Sequence, residues 1–285
     1  MAQPITDSPT GRNNSEYVLG TGTTESVRLG LQHRLWSALA HQLWERANLQ
    51  PGHTVLDLGC GPGHATVDLA QIVGPTGRVI AIDESAAFLK QVHDEARARN
   101  LTNITRVLGD VQDLDTCLPG SESSVDLAYA RWVFCFLARP EDVIAGLARV
   151  IKPGGKLTIQ DYFSYESMTL APRRDAFTKV INAIGRSWRS RGGDPDIVGR
   201  LPAMLSRHGF EVVHIMANQR VARPGTTMWH WPASFWSSYI PRLREFGFIS
   251  ASEQDQFEAT WRDASEDPDT FMVLPTVFDV VAVKR

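Results

Sequence analysis

The stretch that most constrains this chain is Thr54-Val55-Leu56-Asp57-Leu58-Gly59-Cys60-Gly61-Pro62-Gly63-His64-Ala65-Thr66. Val55 to Leu58 is a short apolar run of the kind buried on both faces of a parallel sheet, and it reads as a strand. It stops at a turn carrying Gly59, Gly61 and Gly63, and the helical spacing of Val67, Leu69, Ala70 and Val73 follows. Strand, glycine turn and helix are the first half of a βαβ unit, whose ligand lies beyond the carboxyl end of the strand. Glycine suits such a turn because a Cβ would keep the ligand off the backbone.

The spacing narrows the ligand. A dinucleotide fingerprint, G-x-G-x-x-G, needs its third glycine where the helix packs on the strand, with pyrophosphate at the helix N-terminus. His64 stands at that place, which disfavours a nicotinamide oxidoreductase. A second buried run, Val79-Ile80-Ala81-Ile82-Asp83, ends in an acid about 20 residues past the turn, where a ribose-binding acid is expected. A carboxylate accepts both ribose hydroxyls through charge-assisted bonds, about twice as strong as neutral ones. A third strand, Ile104 to Leu108, ends at Gly109-Asp110, and a fourth, Val125 to Ala130, runs into Arg131-Trp132-Val133-Phe134. Leu147-Ala148-Arg149-Val150-Ile151-Lys152-Pro153-Gly154-Gly155-Lys156-Leu157 then turns into a fifth.

Taken together over residues 54 to 162, these features resemble the class I S-adenosylmethionine (SAM) methyltransferases. Asp57 to Gly63 is similar to their motif I, D-x-G-x-G-x-G, and Leu147 to Gly155 to their L-x-x-x-L-K-P-G-G turn, with Ile151 for the second leucine. The resemblance implies a doubly wound, Rossmann-like α/β fold: a mostly parallel seven-stranded sheet with an antiparallel last strand. It implies SAM as cofactor and S-adenosylhomocysteine (SAH) as product. SAM has no phosphate, so Asp57, Gly59, Cys60, Gly61 and Gly63 are expected to admit its amino-acid half. Asp83 with Glu84 is expected at the ribose, Asp110 at the adenine amine, Val111 against the ring, and Arg131 beyond the fourth strand. An N-terminal helix folds over the cofactor in small-molecule members, which brings in Tyr17 and Gln32.

The bulk numbers exclude other classes. At 285 residues, 43% hydrophobic and 21% charged, the chain suits one α/β domain with insertions, or a domain plus a cap. A net charge of −3 and a pI near 6.2 leave no electrostatic footprint for nucleic acid or an anionic membrane. No apolar run reaches the roughly 20 residues of a membrane span. Cys60, Cys117 and Cys135 lack C-x-x-C spacing and point to a reducing cytoplasm, with Cys60 a small filler in the turn.

Four parts are expected along the chain: a polar disordered tail (1–16), an N-terminal helical cover (17–50), a cofactor-binding α/β domain (51–221 and 266–285) and an acceptor-side cap (222–265). In the cover, Val27, Leu31, Leu35, Leu39 and Leu43 recur every four positions and Trp36 and Trp44 widen the stripe, an amphipathic helix over Thr24 to Ala47 with one buried face. Residues 85–99 and Pro140 to Ile151 read as further helices, the second with proline first and acids in its first turn. A helical stretch from about Pro172 to Arg189, a helix from Leu201 to His208 and a strand from Phe210 to Met216 follow. The cap holds Met228-Trp229-His230-Trp231-Pro232-Ala233-Ser234-Phe235-Trp236, then Tyr239, Ile240, Leu243 and Phe246, broken by Pro232 and Pro241, and is unlike a crossover helix. Val277 to Val283 is the candidate last strand.

Methyl transfer from a sulfonium is an in-line displacement, in which alignment alone supplies roughly 7–11 kcal/mol. A hydroxyl or activated-carbon acceptor usually adds a general base, and the candidates are His230, Asp161 and Tyr162. His64 is a further candidate to approach the SAM carboxylate. The chain has no N-P-P-Y or D-P-P-Y after the fourth strand, no zinc-ligand spacing and no evident acid cluster for a metal. A metal-free enzyme is therefore expected, acting at O, N or C of a small planar or apolar metabolite. Its layout is similar to that of quinone and secondary-metabolite methyltransferases. The alternatives are a protein or RNA methyltransferase, or a SAM-binding protein without transfer. The aromatic segment has its own alternative, a face for a homodimer or a membrane surface.

Overall fold

The computed structural model describes residues 23–285, so the expected tail and Tyr17 lie outside the described residues. Helix α1 (Thr23–Arg46) leads to strand β1 (Thr54–Leu58), the glycine turn and α2 (His64–Val73). Then come β2 (Arg78–Asp83), α3 (Ala86–Ala98), β3 (Ile104–Leu108), a one-turn α4 (Leu114–Cys117) and β4 (Val125–Arg131). The Ser85 hydroxyl caps α3 by accepting from the Phe88 amide at 3.2 Å, satisfying one of the donors a helix start leaves over. Helix α5 (Pro140–Val150) runs straight into β5 (Ile151–Tyr162), so the Lys-Pro-Gly-Gly turn opens that strand.

The rest completes the main sheet and covers one end of it. Strand β6 (Thr169–Ala171), α6 (Asp175–Arg189), α7 (Leu201–Arg207) and β7 (Phe210–Asn218) are followed by β8 (Val221–Ala222) and α8 (Thr227–Glu245). Then come α9 (Ala251–Glu266), β9 (Phe271–Val273) and β10 (Val277–Lys284). Seven strands pair in the order β3-β2-β1-β4-β5-β10-β7, and β10 is antiparallel to both neighbours, Asp279 lying opposite Gln160 and Met216. The strand order reverses between β1 and β4, the switch point at which open α/β sheets bind ligands. Register aligns their ends: Leu58 pairs with Ile82 on β2 and Ala130 on β4. The glycine turn, Asp83 and Arg131 therefore leave the sheet side by side.

Two expectations need correcting. The four-residue repeat of α1 marks only part of its buried face: Leu43 is buried with Trp36 and Trp44, and Leu35 and Leu39 pack against the core, but Val27 is 65% exposed and Arg28, Ala40 and Ala47 complete the buried side. A spacing of four on a helix of 3.6 residues per turn drifts about 40° each step, so Val27, at the start of the repeat, falls off the face that Leu43 joins. The aromatic cap segment is helical, with α8 continuous across both Pro232 and Pro241. Each proline removes one helical hydrogen bond. Burial of Trp229, Trp231, Trp236, Tyr239 and Leu243 outweighs that loss, since packing rather than propensity supplies most helix stability in proteins. Helix α9 and the small antiparallel sheet β6-β9-β8 were not expected at all.

Candidate active site

One cavity of about 1130 Å³ lies beyond the carboxyl ends of β1, β2 and β4, closed over by α1 and α8. Its cofactor half is built on the glycine turn. The Gly61 amide donates to Asp83 Oδ2 at 2.7 Å and the Ser85 amide to Oδ1 at 2.8 Å, so the carboxylate at the end of β2 fixes the turn. Each oxygen has two lone pairs, so both keep acceptor capacity for ribose hydroxyls. Burial raises the Asp83 pKa, while the Ser85 and Gly61 bonds pull it down. Gly61 has φ +55°, and a Cβ there would meet nothing nearer than Leu29 Cδ1 at 3.9 Å: its open side is cavity.

Gly59, Cys60, Glu84, Asp110 and Val111 also line the cavity. Burial, then the charges of Asp57 and Asp83, push the Cys60 thiol well above its usual range, which suits a filler and not a nucleophile. Desolvation, then the charges of Asp83 and Asp110, raise the Glu84 pKa from its ordinary value. Asp57 accepts the Thr66 hydroxyl at 2.6 Å, tying β1 to the first turn of α2. Burial raises its pKa to about 7, against the Thr66 bond and the Arg131 charge. Gly63 is a correction. It is absent from the cavity wall, and a Cβ on it would fall 2.6 Å from Val92 Cγ2 of α3, so this glycine serves helix packing.

Arg131 reaches the cavity from the end of β4. Its Nη2 donates to His33 Nδ1 at 3.0 Å, and His33 Nε2 lies 3.0 Å from Asp68 Oδ2. Arginine only donates, so Nδ1 accepts and the Nε2–H of His33 points to Asp68. The Arg131 Nη1 is buried with no partner among the described residues. His64 lines the cavity and stacks on His33 at 5.5 Å, its basicity lowered by burial and by the charges of His33 and Arg131. Gln32 lines the cavity too, and its Oε1 accepts from Trp231 Nε1 at 2.9 Å, joining α1 to α8.

The other half is aromatic. Trp132, Tyr162, Tyr165, Trp188, Trp231 and Phe235 line it, with Trp132 and Trp231 6.0 Å apart and Tyr162 and Trp188 also 6.0 Å apart. Trp132 has φ +52°, rare for a bulky side chain, and is held by a 2.8 Å bond from its amide to the Gln160 carbonyl. Of the catalytic candidates only Tyr162 reaches this chamber. Burial first, then Tyr165, keeps its phenol well above the usual range and so neutral. Asp161 is fully buried away from the cavity wall, accepting the Tyr162 amide at 2.8 Å and the Cys135 amide at 3.1 Å, with its pKa raised by burial to about 6. His230 is exposed and outside the cavity, because its neighbours Trp229 and Trp231 take the inward positions of α8.

Trp229, Trp231 and Trp236 are 2%, 5% and 3% exposed, so these three aromatics pack inside the chain. Sequence reading missed Tyr165, Trp188, Arg191 and Arg242 as lining residues, since no spacing signal connects loops and helices so far apart in the chain. Among the described residues no group of His, Cys, Asp or Glu is gathered for a metal, and no helix is long and apolar enough to cross a membrane.

Residues 49–190 match the family model of a methyltransferase domain. The chain is 37% identical over 121 residues to an uncharacterized 37.1 kDa protein in transposon TN4556 of Streptomyces fradiae, 42% of this chain but only 33% of that protein. It is 28% identical over 206 residues to the ubiquinone/menaquinone biosynthesis C-methyltransferase UbiE of Stutzerimonas stutzeri, 66% of this chain and 78% of that one. In fold it is similar to a putative methyltransferase from Bacillus halodurans, with a TM-score of 0.58 at 20% identity, covering 86% of this chain and 97% of the other. With the sheet order, the glycine turn and the acid at the end of β2 all in place, the chain belongs to the class I SAM-dependent methyltransferases.

Proposed function

We propose that this protein methylates a small, planar or apolar metabolite of quinone or secondary-metabolite type, at O, N or C. The observation that carries the reading is one continuous cavity, acidic and glycine-lined at one end and aromatic at the other. Residues 222–265 serve as the acceptor-side cap and, of the expected cover, the described residues 23–50 lie over the cofactor. When bound, SAM would supply a methyl group on a sulfonium whose S–C bond pair stays on sulfur, leaving SAH, while any proton on the acceptor atom would pass to bulk solvent as the product departs. Asp83 accepts the ribose hydroxyls, and the unpartnered Nη1 of Arg131 donates to the carboxylate of the amino-acid half. Trp132 and Trp231 keep water from the junction of the two halves. The neutral phenol of Tyr162 is a hydrogen-bond donor and not a base, so the rate comes from alignment and desolvation.

The overall charge of −3 argues for a metabolite over nucleic acid, and cysteines with no disulfide among them suit a cytoplasmic setting. A screen of metabolite fractions with methyl-labelled SAM tests the reading. A labelled small product is expected; label found only on protein or RNA, or SAM binding without SAH formation in any fraction, overturns it.

A further inference from the structure

The charges in the cavity are sorted by position. Asp57, Asp83, Glu84 and Asp110 stand on the cofactor side with one arginine, Arg131, whereas Arg28, Arg191 and Arg242 stand among the aromatics. Arg28 is already neutralised. Its Nε and Nη2 donate to the Glu25 carboxylate at 2.7 and 2.6 Å, and both side chains are buried. Arg191 and Arg242 have no carboxylate within ion-pair distance among the described residues. Glu245, one turn past Arg242 on α8, is the one acid lining this end, and it is exposed and bonds to neither. The Arg191 guanidinium lies 4.3 Å over the Phe246 ring, which fixes its plane while leaving its N–H edge free. Tyr239, hydrogen-bonded to Ser187 at 2.8 Å, is within the field of both arginines: burial raises its phenol pKa, and the Ser187 bond and the two charges lower it.

An aromatic slot with two uncommitted guanidiniums at its outer end has a definite complement. We propose that Arg191 and Arg242 hold the carboxylate of a flat aromatic acid whose ring lies against the wall that Trp188, Phe235 and Tyr239 form. This rests on the reading of the aromatic chamber as the acceptor site. A planar guanidinium fork matches a carboxylate in two parallel bonds, and the ring gains contact area at little cost in rotamer freedom. The acidic half of the cavity repels the same anion, so the acid enters with its charged end outward and its ring toward the methyl donor.

Calorimetry on the SAH-loaded protein with 2-naphthoate and its neutral analogue 2-naphthylmethanol tests the site. The acid is expected to bind at least roughly tenfold more tightly than the alcohol, as bonds to a charged group allow. Arg191→Gln combined with Arg242→Gln is expected to erase that preference while the alcohol binds as before, and high salt to narrow it in the unaltered protein. Equal affinities in the unaltered protein, or a preference that survives in the double variant, overturn the anion site and leave the chamber standing. If neither probe binds while SAH does, both this proposal and the acceptor reading fall.

Discussion

Asp83 does two things with one carboxylate. It fixes the Gly61 and Ser85 amides and faces the space a ribose would take, so removing it loosens the turn as well as the ligand. Bonds to a charged group contribute about 1.5–3 kcal/mol. Asp83→Ala is therefore expected to weaken SAM or SAH binding at least roughly tenfold by calorimetry, with the fold kept. Gly61→Val should do more and abolish binding, because it strains a φ of +55° and fills the approach path; tight binding by that variant would move the site elsewhere. Asp57 predicts a pH effect whose sign is fixed. Its pKa is raised from 3.8 to about 7 on folding, so between those values the folded chain holds a proton that the unfolded chain has lost. Stability therefore falls as pH rises through that window and is flat above it, by an amount on the order of a few kcal/mol. Thermal midpoints of the cofactor-free protein below and above the window should drop, and drop less in Asp57→Asn.

At the level of elements, α8 divides its tryptophans between two duties. Trp231 lines the cavity and donates to Gln32, whereas Trp236 packs within 5.4 Å of Phe177 and Phe257 on α6 and α9, outside the cavity wall. Trp231→Ala is expected to raise the acceptor KM or lower kcat with SAM affinity within about twofold. Trp236→Ala should instead cost about 3–5 kcal/mol of stability by leaving a core cavity, read as a lower denaturation midpoint. Reversed effects would exchange the two assignments. The first five strands were legible because β1, β2 and β4 are largely apolar and buried, and because the glycine turn, Asp83, Gly109-Asp110 and the Lys-Pro-Gly-Gly turn follow in one order. Strand β3 is itself mostly exposed and was legible from that order. The course of α8 was not, because Pro232 and Pro241 argue locally against a helix that only tertiary burial sustains. Strands of two and three residues, β6, β8 and β9, are too short to carry any periodicity. The same limit governs the site: the cofactor residues fall on one motif-bearing stretch, whereas Trp188, Arg191 and Tyr239 meet only through the packing of α6 on α8.

Across the whole molecule, β10 is the last strand in the chain yet lies inside the sheet, pairing with β5 on one side and β7 on the other. A ribosome delivers the first five strands long before it, and those can pair as they emerge, since β3-β2-β1-β4-β5 is contiguous without the rest. Strand β7 cannot join them: its place is one strand beyond a gap that stays empty until Val277 to Lys284 leave the exit tunnel. Until then the nascent chain carries two open sheet edges, on β5 and β7, and such edges invite pairing with other chains. The interval between making Asn218 and making Lys284 is thus the period in which this protein is most exposed to aggregation during synthesis, and in which a chaperone has most to protect.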